Sequence, residues 1–172
     1  HGKIMDQYDP DKKIGMIVDE WGCWFTVEPG TNPGFLYQQN TVRDALVAGI
    51  TLNIFNKHCD RVKMANLAQM VNILQSVILT EGPKMIKTPT YHVFHMYRHH
   101  QGATLLNSTL TGVGETGIGE WKVPEVTESV SEDAEHIITV TLNNLSADEE
   151  KEIEIVIAGD EHIYSVKEAK VV

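Results

Sequence analysis

The sequence predicts two parts of different character, an α/β part over residues 1–105 and an antiparallel all-β part over residues 106–172. Three observations carry this. Short strand-like runs at Ile14–Val18 and Arg61–Ala65 are each followed by a loop and a helical pattern. The resulting order of strand, loop and helix, given twice, is what a parallel α/β architecture produces. From about residue 106 the text turns to Thr, Glu, Val and Ile in period-two alternation, the mark of antiparallel strands.

Taken in order, Ile14-Gly15-Met16-Ile17-Val18 is continuous and apolar, as in a strand covered on both faces, and Asp19 and Glu20 follow it directly. Glu28-Pro29-Gly30-Thr31-Asn32-Pro33-Gly34 is a loop, because Pro and Gly there deny both helix and strand. Leu36, Val42, Leu46, Ala48, Gly49 and Leu52 give helical spacing from about Leu36 to Phe55. Arg61–Ala65 is the second strand, and Asn66 and Gln69 come after it. A last helix is expected over Thr90 to about Gln101, with Pro89 near the first turn, where its missing N–H costs little. In the β part, Ile138, Val140 and Leu142 alternate with Ile137, Thr139 and Thr141. Asn143–Ser146 turns, Ile153, Ile155 and Ile157 resume with Glu152 and Glu154 outward, and His162–Lys170 closes. A sandwich is the expected form. Two α/β units alone leave a sheet with an uncovered edge.

The 172 residues suffice for one ordinary domain or for pieces of two. Apolar residues make up 42%, enough for a buried core. The formal charge of −10, from 24 acidic and 14 basic side chains, repels phosphate backbones and anionic lipid. Nucleic-acid and membrane-surface partners are thereby disfavoured, and neutral sugars stay open. Two cysteines, Cys23 and Cys59, and a start without a signal-peptide pattern lead to the expectation of a reduced, cytoplasmic location. The opening His1-Gly2-Lys3, without an initiator Met, leads to the expectation of a piece cut from something longer.

The chemistry centres on Val18-Asp19-Glu20-Trp21-Gly22-Cys23-Trp24. A carboxylate just past the C-terminal end of a buried strand is where (β/α)8 barrels keep their catalytic groups. This run, with Glu28–Asn40 and Arg43-Asp44-Ala45, resembles the seventh-strand region of glycoside hydrolase family 51 α-L-arabinofuranosidases. Asn53–His58, Arg61–Gln69 and Thr88–Phe94 resemble the helix, the eighth strand and the final barrel helix that follow. The resemblance is dense over residues 1–105 and looser beyond. It implies the last two β/α units of a (β/α)8 barrel over 1–105 and an appended β-sandwich over 106–172. It also implies release of terminal α-L-arabinofuranosyl residues from arabinoxylan or arabinan oligosaccharides, with retention, by an enzyme that is a homo-oligomer at full length. On this resemblance Glu20 is the nucleophile, Gln69 hydrogen-bonds the sugar, and Trp24 stands near the pocket. The family's acid/base Glu, in an Asn-Glu pair after strand four, has no counterpart here, so this chain alone is expected to be inactive.

Retaining hydrolysis needs two carboxyl groups roughly 5–5.5 Å apart, one ionised to attack and one protonated for the leaving oxygen. Glu20 suits the first task. Trp21 and Trp24 would make an apolar wall for the sugar's C–H edges, and Gln69 both donates and accepts, as a hydroxyl requires. The scheme calls for no metal and no organic cofactor. Plainer readings stand beside these. Glu20 could be a strand-end carboxylate in a salt bridge, Asp19 a structural acid and Trp21 core filler. Cys23 reads as a small buried side chain and Asp148–Glu154 as a solvated face. His92, His95 and His99 share one helix face with His100 nearby, a spacing that could collect a metal or simply face water. The competing functions are a non-catalytic sugar-binding or subunit-association sandwich, for which Trp121 and Tyr164 are the available aromatics, and a His-based metalloprotein.

Overall fold

The computed structural model describes residues 1–159 and 164–172. A short helix α1 (Gly2–Tyr8) leads into strand β1 (Met16–Trp21), then a 3-10 turn at Pro33–Phe35 and the long helix α2 (Val42–Lys57). Strand β2 (Val62–Leu67), a hairpin of β3 (Ile78–Glu81) and β4 (Lys84–Lys87), and helix α3 (Pro89–Tyr97) complete the first part. Beyond a 3-10 turn at Arg98–His100 come β5 (Thr104–Leu105), a hairpin of β6 (Glu115–Ile118) and β7 (Trp121–Pro124), then β8 (Val126–Glu132) and β9 (Ile138–Asn144).

Strands β1 and β2 are parallel, with Val18 opposite Ala65 and Trp21 opposite Leu67, and a bulge between those pairs. Helix α2 begins at a capping box. The Thr41 amide donates to the Asp44 carboxylate at 2.8 Å, and Lys57 closes the last turn where cations suit the helix dipole. Helix α3 is capped by the Thr88 hydroxyl, which accepts from the Tyr91 amide, and Pro89 opens its first turn. The core lies where the two helices meet. Ala45 and Ala48 of α2 pack against Val93 and Tyr97 of α3, with Trp21, Leu52, Phe94 and Met96 around them. The small α2 side chains let the helices approach closely. Ahead of β1, the buried Arg61 guanidinium is held by Asp6, by Asp9 at 2.6 Å and by the Ile14 carbonyl at 2.9 Å, which pins α1 to the foot of both strands.

The sheet β5-β8-β9 is antiparallel, and β8 and β9 lie against α2. That contact is polar. Asn53 donates to Thr127 (3.2 Å), Asn56 to Ser129 (2.9 Å) and Lys57 to Glu128 (2.6 Å), all from one α2 face at i, i+3 and i+4. Tyr97 Oη donates to Asn53 Oδ1 (2.9 Å) and accepts from Asn143 (3.0 Å). His100 bridges Ser131 (2.7 Å) and Thr141 (3.1 Å).

The mixed α/β class with small antiparallel sheets holds, while two parallel strands form no closed barrel. Boundaries differ from the expectation. Strand β1 starts at Met16 and runs through Trp21, so Asp19 and Glu20 lie within its last turn of pleat rather than past it. Helix α2 starts at Val42, because Leu36 is held left-handed (φ 50°) at the end of the 3-10 turn. Two hairpins, β3–β4 and β6–β7, were not expected. Residues 151–159 and 164–172 carry no strand, against the expected strands at Ile153–Ile157 and from His162 to Lys170, and His162 itself lies outside the described residues.

Candidate functional site

The parallel register brings the C-terminal ends of β1 and β2 side by side. The Ala68 amide donates to the Trp21 carbonyl at 2.8 Å, so Glu20–Trp21 and Leu67–Gln69 leave the sheet together at one end. Glu20 and Gln69 are both exposed there, and the Ala68–Gln69 peptide is cis. Asp19 is exposed as well.

The two tryptophans divide. Trp21 turns into the apolar layer between β1 and the helices, stacked on Phe94 (6.0 Å, 19°) and edge-on to Phe55 (5.5 Å, 84°). Its ring is packed on this side by two aromatics, while the residue as a whole is half-buried. Trp24 instead stands 68% exposed.

What separates them is the turn that follows β1. Gly22 has φ +140°, a conformation that favours glycine, and a Cβ there would make close contacts of 3.3 Å with both the Ala68 carbonyl and the Gln75 side chain. Beyond it, two buried amides hold the chain. Gln75 Oε1 accepts from the Cys23 amide at 3.0 Å, and Gln38 Oε1 accepts from the Phe25 amide at 2.9 Å while its Nε2 donates to the Cys23 carbonyl at 3.3 Å. Cys23 is buried, and that burial, with the Asp44 charge second, pushes its thiol up to about 11, so it stays protonated and unreactive at neutral pH. The Arg43 guanidinium lies over the Phe25 ring at 3.7 Å, at one side of a cavity of about 230 Å³ that Glu28, Gln39 and Thr41 also line. Gln38 and Gln75 escaped the sequence reading. Nothing in a single sequence marks a glutamine whose partners are backbone groups 15 and 52 residues away.

The histidines do not gather. His95 contacts Arg98 at 2.9 Å and stacks on Tyr91, whereas His100 is drawn under the sheet between Ser131 and Thr141. Among the described residues no group of three His, Cys, Asp or Glu side chains is arranged to hold a metal, and no helix is long and apolar enough to cross a membrane. Trp121 stands 78% exposed on the β6–β7 hairpin, and Tyr164 lies in a stretch without strand.

Comparison with known proteins adds the following. Residues 19–172 match the family model described as the α-L-arabinofuranosidase C-terminal domain. An intracellular exo-α-L-arabinofuranosidase of Bacteroides ovatus is 51% identical over 155 residues, covering 90% of this chain and 30% of that protein. An intracellular exo-α-(1→5)-L-arabinofuranosidase of Bacillus subtilis is 33% identical over 96 residues, 51% of this chain and 19% of that protein. The crystal structure of a family 51 arabinofuranosidase from Xanthomonas axonopodis pv. citri superposes with a TM-score of 0.81 at 51% identity, over 86% of this chain and 30% of that one. The chain thus spans less than a third of the length of these relatives.

Proposed function

This chain belongs to the α-L-arabinofuranosidase C-terminal domain family, and from that premise we propose that it is the C-terminal portion of a retaining exo-α-L-arabinofuranosidase in which Glu20 is the nucleophile. Residues 1–105 supply the last two β/α units of a (β/α)8 barrel, and residues 106–172 an appended β-sandwich domain. The observation that carries this reading is the shared exit of Glu20 and Gln69 at the C-terminal ends of two parallel strands, where barrels concentrate their chemistry.

The Glu20 carboxylate attacks the anomeric carbon from the face opposite the leaving oxygen, and the glycosidic bond breaks as the glycosyl ester forms. The leaving oxygen takes its proton from a carboxylic acid that this chain does not contain. That same group then draws a proton from water as the water opens the ester, which restores the original configuration. Gln69 donates to one sugar hydroxyl oxygen and accepts from another. Trp24 offers a flat apolar face to the ring's C–H edge. Trp21 supports β1 from behind. Because the acid is missing, the isolated chain does not turn over substrate. The substrate class is terminal arabinofuranosyl residues of arabinan or arabinoxylan oligosaccharides, handled inside the cell by a homo-oligomer of the full-length protein.

The test uses the full-length enzyme that carries this chain and an aryl α-L-arabinofuranoside. Glu20→Ala lowers turnover on the order of 10⁴-fold or more, the scale seen when nucleophiles are removed. Azide in the vacated space then attacks the anomeric carbon and yields the inverted β-arabinofuranosyl azide, with partial recovery of aglycone release. Wild-type turnover in Glu20→Ala removes the residue from this role.

A further inference from the structure

We infer that Gln38 and Gln75 are positioning residues for the substrate, holding the backbone on both sides of Trp24 so that its exposed ring keeps one direction for the sugar. The inference rests on the reading of Trp24 as a sugar contact.

Residues Cys23–Phe25 form no strand or helix, so no ladder fixes the direction of Trp24. Two side-chain amides do this instead. Gln38 behaves as a neighbouring strand would, accepting from the Phe25 amide and donating to the Cys23 carbonyl, the two groups that flank Trp24. Gln75 takes the remaining Cys23 amide. Both glutamines are fully enclosed, at 2% and 0% exposure, so these bonds are shielded from competing water. Each is tied in turn to one residue of α2. Gln75 Nε2 donates to the Asp44 main-chain carbonyl, and Gln38 Nε2 lies 3.5 Å from the Asp44 carboxylate. Asp44 is itself fixed as the third helical residue of the α2 capping box, accepting from the Thr41 amide, with no exposure. The direction of Trp24 is therefore set from the first turn of a helix packed in the core. With Cys23 turned inward and the Phe25 ring under Arg43, the intervening side chain is left pointing to solvent. A tryptophan free to rotate there would have to be ordered by each incoming sugar, and that cost falls on binding.

Three measurements decide the matter. In the full-length enzyme, Gln38→Met, which keeps side-chain length but removes both hydrogen bonds, and Gln75→Ala raise KM about tenfold and leave kcat within about twofold, the signature of lost uniform binding. Combined with Trp24→Ala, neither adds a further rise, because both act through that ring. With 5-fluorotryptophan in the protein, the ¹⁹F resonance that Trp24→Phe removes shifts or broadens in Gln38→Met, while those of Trp21 and Trp121 stay. A variant that only loosens the fold lowers melting temperature and active fraction without this pattern. An unchanged KM, a fully additive double variant, or an unmoved Trp24 resonance overturns the inference. Where a variant yields too little folded enzyme for kinetics, the ¹⁹F spectrum of the other variant decides. Should Trp24→Ala itself leave KM unaltered, the sugar-contact reading fails and takes this inference with it. Should Glu20→Ala stay active while the Trp24 cycle holds, only the nucleophile assignment falls.

Discussion

Gly49 sits in the middle of α2, where glycine ordinarily costs a helix about 1 kcal/mol relative to alanine. Taken alone, propensity says that Gly49→Ala stabilises. The structure reverses the sign. A Cβ added at Gly49 would land inside the Asn143 side-chain amide, 2.8 Å from its Cγ. That amide has little room to retreat, for it is buried and donates to Tyr97 Oη at 3.0 Å and to Thr127 Oγ1 at 3.3 Å. Displacing it forfeits two hydrogen bonds of about 0.5–1.5 kcal/mol each, and strain in a packed interface adds roughly 1–3 kcal/mol. Set against the gain of about 1 kcal/mol, the net is a loss of about 1–5 kcal/mol, with about 3 kcal/mol at the centre of the range. For a chain of this size that lowers the melting temperature by about 5–10 °C. Thermal unfolding followed by circular dichroism measures it directly. The double variant Gly49→Ala with Asn143→Ala supplies the control. With the obstructing amide gone, the alanine at 49 is accommodated and the two effects are strongly non-additive. A Gly49→Ala protein that melts at or above the wild-type temperature refutes the reasoning.

Two further outcomes follow from the same kind of accounting. The Thr141 hydroxyl donates to Asn53 Oδ1 and so accepts from His100 Nε2–H, while His100 Nδ1 lies 2.7 Å from the Ser131 hydroxyl. Burial, with the His99 charge second, pushes His100 down to about 4. The unfolded chain protonates this residue near its ordinary value of about 6.5 while the folded chain does not, so between pH 6.5 and 4 the unfolded state binds more protons and stability falls as pH falls. Melting temperatures across that window show this slope in the wild type and a flatter one in His100→Gln; equal slopes would remove His100 as its source. For the thiols, iodoacetamide at pH 8 alkylates exposed Cys59 and leaves Cys23 unmodified until denaturant is added, read by peptide mass mapping. Equal labelling rates would contradict the burial of Cys23.

The α/β part could be read from sequence where one physical cause dominated. Strands β1 and β2 are legible as short strand-like runs, although of their side chains Trp21 alone joins the core cluster while Ile17 and Met64 stand 54% and 53% exposed rather than covered on both faces. Helix α2 starts later than its apolar spacing predicts because Leu36 is apolar yet belongs to a turn, and Thr41-Val42-Arg43-Asp44 spells the capping signature that marks the true start. Hairpin β3–β4 was hidden by its short strands and the full exposure of β4, which leave no alternation to find; the Gly82-Pro83 loop was the available cue. Strand β8 reads as polar because it buries Glu128, Ser129 and Ser131, each matched by a partner that only the folded chain supplies. Ile153–Ile157 shows the reverse case. Its alternation suits a strand, but a strand exists only through pairing, and these residues remain unladdered with Ile155 58% exposed. At the site, the carboxylate at the end of β1 was legible, and the amides that brace the segment after it were not.

The polar contact between α2 and the β8–β9 sheet has a consequence for protein engineering. Greasy surfaces tolerate sliding and substitution, whereas donors and acceptors matched one to one across a junction accept a single alignment. Grafting a relative's C-terminal sheet onto this helix would strand Asn53, Asn56 and Tyr97 opposite strangers, and chimeras cut near residue 105 should therefore fail unless both halves of the junction travel together.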